Sequence, residues 1–200
     1  MAGPEALQFK ILLKRIRPPI WRRIHVPSDY TFWDLHVAIQ DAMGWDDYHP
    51  HEFVTKDLKT GSEIRIGIPD DEAMFWGVEI LPEWEILAVD YFSQANPKAI
   101  YRYDFGDGWE HTITLEKKVP LERGADYPRC LGGRRACSPE DCGGPYGYES
   151  LLESITNPED ANHETRLEWV GAAFDAEHFD PEEIIFNDSR QRSKSVLERE

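Results

Sequence analysis

Leu7, Phe9, Ile11 and Leu13 alternate with Gln8, Lys10 and Lys14. A period of two with branched and aromatic residues predicts a half-buried strand. Pro18 and Pro19 end it, because proline has no N–H to give to a ladder. Alternation resumes over residues 20–26 as a second strand. Phe32, Leu35, Ala38, Ile39, Ala42 and Met43 then recur at helical spacing. Thr31, three residues before Asp34, predicts a capping box, and Gly44 suits the left-handed residue that closes a helix. The first fifty residues therefore read β–β–α.

Farther on, residues 51–55 and 62–68 are short strand candidates, with turns at Pro69-Asp70-Asp71 and Asn96-Pro97. Residues 99–105 and 109–119 are the clearest strands. The glycines of Gly106-Asp107-Gly108 permit the positive φ of a hairpin loop between them. With Phe105 facing Trp109, one hairpin face carries Tyr101, Tyr103, Phe105, Trp109, His111 and Ile113. The other carries Arg102, Asp104, Glu110 and Thr112. Residues 148–156 and 162–171 read as helices, the second capped by Asn162, and 181–186 as the start of a third. The whole predicts an α+β fold: one domain over 6–186, a mixed or antiparallel sheet packed by helices, and a polar tail over 187–200. Its core should include Phe9, Ile11, Leu13, Leu35, Ile39, Phe105, Ile113 and Leu115.

Residues 119–148 break the pattern. Ten of the thirty are Gly or Pro, and all three cysteines fall there. A loop this long inside a domain is more often functional than not, and its 130–148 part is expected to fold back on the Asp107–His111 hairpin to make the main cleft. Cys130, Cys137 and Cys142 lack the tight spacing of a zinc ribbon. They are open to three readings: unligated thiols, a zinc site completed by a histidine, or one disulfide with a free thiol left over. Glu140 and Asp141 sit on a tight Gly-rich turn, where carboxylates bind a hard cation or fix the loop backbone. His49 and His51 share a side if their segment is extended, one way to aim two imidazoles at a metal. His111 is a core histidine or a general base in an aromatic-walled pocket, and Asp107 bonds its own loop or joins a site.

Charge limits the partners. With 22 Lys+Arg against 38 Asp+Glu the net charge is −16, a field that repels phosphate and argues against nucleic acid. The six basic residues between 6 and 28, Arg22 among them, face no acid in that stretch. They are a solvated surface or a groove for an anionic partner. The apolar fraction of 40% supports a proper core. No apolar run approaches the roughly 20 residues of a membrane helix, and no signal pattern opens the chain. These features predict a cytoplasmic protein whose partner is a protein or a small molecule.

Several segments together resemble a known family. They are residues 16–23 (IRPPIWRR), 35–45, 49–53, 103–111 (YDFGDGWEH), Cys130 to Cys137, and 139–148 (PEDCGGPYGY). In that order they are similar to plasmid pRiA4b ORF-3-like proteins, over nearly the whole chain. Ser138 stands where the family pattern usually has a second proline. The resemblance implies a single α+β domain of unestablished function. Members have been labelled resolvases, but this chain shows no serine-nucleophile context and no helix-turn-helix.

Two readings of function follow. One is a binding module with an aromatic and acidic cleft, with Trp109, Tyr103, Tyr146 and Arg22 as contact residues. The other is a metal-dependent hydrolytic enzyme. There His49, His51 and His111 are ligands and Asp107, Glu140 or Asp141 is a ligand or general base. A structural zinc on Cys130, Cys137 and Cys142 is compatible with either, and zinc is the cofactor these donors would suit.

Overall fold

The computed structural model describes residues 3–70, 77–171 and 174–192. Eight strands form one sheet: β1 (Glu5–Leu13), β2 (Trp21–Pro27), β3 (His51–Lys56), β4 (Glu63–Gly67), β5 (Ile80–Pro82), β6 (Lys98–Tyr103), β7 (Trp109–Pro120) and β8 (Arg129–Arg134). Their order is β5-β4-β3-β6-β7-β1-β2-β8, with every pair antiparallel except β4–β5. Helix α1 (Phe32–Met43) follows β2, and α2 (Gly144–Thr156) and α3 (His163–Val170) lie near the C-terminus. The fold is α+β, with a mixed sheet. Among the described residues no helix is long and apolar enough to cross a membrane.

Period two sorts the sheet into two faces. Phe9, Ile11, Phe53, Tyr101, Ile113 and their neighbours join Leu35 and Ile39 of α1 and Tyr148 and Leu151 of α2 in one core. The opposite face carries charges in cross-strand register: Arg65 and Arg102 pair with Glu52, and Arg102 and Lys14 pair with Glu110. Arg23 pairs with Glu116. Within the basic N-terminal run, Lys14 and Arg23 are thus paired with acids on this face, and Arg22 is buried, donating to the carbonyls of Ala42, Trp21 and Arg134.

Helix α1 begins at the capping box: the Asp34 amide donates to Thr31 Oγ1 and the Thr31 amide to Asp34. It ends at Gly44, with φ 84° and its N–H on the Gln40 carbonyl. His36 and Gln40, one turn apart on the buried face, both reach the hydroxyl of Tyr101.

Several expectations need correction. The hairpin pairs Tyr103 with Trp109 and Tyr101 with His111, so the strands part earlier than the glycines imply. Asp104 turns out of the strand at φ 53°, and its Oδ1 accepts the amides of Gly106 and Asp107. Phe105 is consequently 57% exposed rather than core, while the other seven predicted core residues are buried. Residues 119–148 are not structureless, because β8 pairs with β2 and α2 begins at Gly144, four residues before the predicted start. Asn162 makes no side-chain cap, and the third helix is only the short turn Pro181–Glu183. The tail is docked as far as Arg192. Asn187 and Arg192 bond Asp41, Ser189 bonds Asp34, and Trp33 Nε1 donates to the Ser189 carbonyl. The turn at Asp71 and the tail beyond Arg192 lie outside the described residues.

Gly108 closes the hairpin loop with φ 66°, its N–H on the Asp104 carbonyl. Gly108→Val is expected to cost about 1–3 kcal/mol, because a branched residue strains that conformation. Urea denaturation checks it; an unchanged midpoint would mean the loop needs no positive φ there.

Candidate functional site

Three segments meet beside the Asp104–Gly108 loop. The chain leaving α1 makes a turn, with Asp47 at φ 62°, before entering β3. The segment between β8 and α2 then folds back over both. The Asp46 amide donates to Glu140 Oε2 at 2.8 Å, the Tyr103 hydroxyl bonds Glu140 Oε1, and Gly143 N–H donates to Asp107 Oδ2 at 3.0 Å. Trp45 Nε1 donates to the Ser138 carbonyl at 2.9 Å. The loop thus packs on the hairpin as expected. Glu140 and Asp107 both make hydrogen bonds that hold it there.

What the loop delivers is Asp141. Its Oδ1 lies 3.1 Å from His49 Nε2, and Asp104 Oδ2 lies 3.6 Å from the same nitrogen. His49 Nε2 is buried and makes no hydrogen bond. Among the described residues no lysine or arginine pairs with Asp104 or Asp141. Tyr48, Phe105 and Tyr146, all exposed, flank these groups along the chain. On the far side of Asp104 a groove of about 1160 Å³ runs over the open sheet face, past Arg15, Arg65, Arg102 and Glu110.

Directly beneath lies a second, sealed cluster. His36 and His51 stack with ring centroids 3.4 Å apart and planes within 2°. Gln40 donates to the Tyr101 hydroxyl, which leaves the hydroxyl proton for His36 Nδ1. His36 Nε2–H then donates to Asp47 Oδ1, and His51 Nε2 bonds Glu83 Oε2, both at 2.8 Å. Burial, and then His51, hold the His36 pKa below its ordinary value. Burial alone would raise the Asp47 carboxyl, but the His36 contact brings it below the usual carboxylate range. The pair is a neutral imidazole beside an ionised carboxylate. Burial and then Glu140 raise the Tyr103 hydroxyl pKa, and burial raises that of Tyr101.

The other candidates stand apart. His49 and His51 do not share a ligand: the turn at Asp47 and Pro50 sends one to the outer cluster and the other to the inner. His111 is fully buried against Trp45 and Tyr101, with neither ring nitrogen hydrogen-bonded, so the three-histidine metal centre is not assembled. Trp109 and Arg22 are buried, whereas Tyr146 is 80% exposed. The three thiols form no disulfide. The converging donor sets among the described residues contain no cysteine. Burial raises the Cys130 pKa and pushes Cys137 up to about 11 and Cys142 to about 12, above the ordinary thiol value.

Sequence reasoning missed Asp104 as a site group, and His36 and Glu83 altogether. Two polar residues one turn apart on an otherwise apolar helix face, His36 and Gln40, were the available signal for the inner network. No comparable signal marks Glu83.

The family model for plasmid pRiA4b ORF-3-like protein matches residues 5–183. The uncharacterized protein y4hQ of Sinorhizobium fredii (strain NBRC 101917 / NGR234) is 34% identical over 168 residues, 84% of this chain and 81% of that protein. A crystal structure of a protein of unknown function from Methanosarcina mazei Go1 is similar with a TM-score of 0.86 and 43% identity. It covers 92% of this chain and 100% of that one.

Proposed function

The chain belongs to the plasmid pRiA4b ORF-3-like family, and from the cleft at the Asp104–Gly108 loop we propose that it is a binding module for a positively charged ligand. The observation that carries this reading is the convergence of Asp104 and Asp141, from distant segments, on one imidazole without a neutralising lysine or arginine. Carboxylates gathered this way repel each other, and a bound cation relieves the repulsion. Tyr48 and Phe105, exposed and next in sequence to His49 and Asp104, offer aromatic faces of the kind on which a cation rests.

A loop merely stapled to the sheet would use the same contacts, and substitution separates the two cases. Asp141→Asn is expected to leave stability within about 0.5 kcal/mol, as for an exposed group. The Asp104→Asn, Asp141→Asn pair should weaken binding of a short Lys/Arg-rich peptide at least about tenfold. Amide chemical shifts at physiological salt are the measurement, with an acidic peptide of equal length as control. Shifts should centre on residues 46–49, 104–108 and 140–144. An equal response to the acidic peptide, or a loss of stability with binding intact, would sink the proposal.

A further inference from the structure

We propose that His49, Asp104 and Asp141 bind a divalent transition-metal cation of the Mn²⁺ and Zn²⁺ class, an inference that rests on reading the cleft as a cation site. The three donor atoms lie within 4.8 Å of one another, with His49 Nε2 3.1 Å from Asp141 Oδ1 and 3.6 Å from Asp104 Oδ2. Donors about 2.0–2.2 Å from a shared ion and about 90–110° apart are roughly 3.0–3.6 Å from each other. Both carboxylate spacings to His49 Nε2 fall in that range, and the two carboxylate oxygens lie within 4.8 Å of each other.

An ordinary hydrogen-bonded ion pair does not describe the geometry. Asp141 Oδ1 lies 3.1 Å from His49 Nε2, yet this buried nitrogen makes no hydrogen bond. The Asp104 side chain is only 10% exposed. Its Oδ1 is occupied by the Gly106 and Asp107 amides, while its Oδ2 receives no hydrogen bond and faces His49. One imidazole with two carboxylates suits a borderline or hard divalent ion. The Asp141 side chain is 70% exposed, so the outer side is open to water or to a ligand atom, as at three-donor catalytic centres.

The inner trio of His36, Asp47 and His51 also gathers its donors within 4.8 Å but does not meet the same standard. Its imidazoles are parallel and stacked, so one ion cannot lie in both ring planes. Each Nε2 is already engaged by a carboxylate.

The full chain, stripped with chelator and dialysed, is titrated with Mn²⁺ by electron paramagnetic resonance and with Zn²⁺ by calorimetry. One ion per chain at micromolar Kd is expected, with Mn²⁺ broadening the amides near His49 and of residues 104–107 first. Asp104→Asn and Asp141→Asn keep the side-chain shape, and Asn tolerates the positive φ of 53° and 57° at these positions. Each should weaken Mn²⁺ at least about tenfold. The triple variant Cys130→Ser, Cys137→Ser, Cys142→Ser should bind as the parent does. If an Asn variant fails to fold, the broadening pattern in the parent still locates the ion. A Kd weaker than about 1 mM for both metals, Asn variants that bind like the parent, or binding lost only with the cysteines would each overturn the inference. Metal-free chain that still binds the basic peptide, but no metal, defeats this site while leaving the cleft reading intact.

Discussion

Acidification from pH 7 toward 3 is expected to unfold this protein in large part through His111. In the unfolded chain the imidazole takes up its proton near 6.5; in the fold, burial holds it back to about 3, with the Tyr101 backbone opposing only weakly. Between those values the unfolded state binds the extra proton. Stability is therefore fully present above about pH 6.5 and falls by about 1.4 kcal/mol for each pH unit below it. His36 pulls in the same direction, because burial and the stacked His51 also lower its pKa. His111→Phe removes one titrating group from a pocket walled by Trp45 and Tyr101. Urea unfolding at pH 7 and pH 5 should show the variant losing about one proton's worth of pH dependence relative to the parent. At pH 7 its stability should change no more than an ordinary core replacement allows. Identical slopes in the two proteins would remove His111 as a cause of acid sensitivity.

The second large effect is steric. Gly147 lies in the first turn of α2, where the chain from Cys142 doubles back against it. A Cβ at 147 would overlap the Cys142 carbonyl, a backbone atom that cannot rotate away. Gly147→Ala is expected to cost about 3 kcal/mol or more, since the conflict resolves only by shifting main chain. Tyr146→Ala, one residue earlier but 80% exposed, should stay within about 0.5 kcal/mol. Denaturation of both variants checks the contrast. A mild effect at 147 would mean that the 138–143 segment is less tightly seated on α2 than its contacts indicate.

The strands and α1 were legible because their signals are local. Alternation at Phe9 and Ile11, and the Thr31–Asp34 box, need only a few neighbouring residues to be read. The hairpin end was not, because the departure from alternation is made by a side chain: Asp104 Oδ1 captures two amides and ends the strand early. Counting onward in steps of two past that point puts Phe105 in the core, where the structure does not. The cleft was legible in part. The loop's return to the hairpin followed from its need for partners, and His49 and Asp141 were named among metal candidates, though in different groupings. That they meet Asp104 depends on the turn at Asp47, on the departure at Asp104 and on the seating of Asp141 together. No spacing within one segment encodes such a meeting.

The place of β1 in the sheet bears on how the molecule is made. β1 lies between β2, which follows it immediately, and β7, which is separated from it by most of the sheet. During synthesis the β1–β2 hairpin emerges first, with one edge of β1 unsatisfied until residues 109–120 have left the ribosome. β3 and β4 can pair meanwhile, but the continuous sheet awaits β7, which joins β6 to β1. Translation thus holds an open strand edge in readiness for much of the chain's length, a state prone to pairing with other chains. Pauses before Trp109 would prolong it, and prompt delivery of β7 would end it.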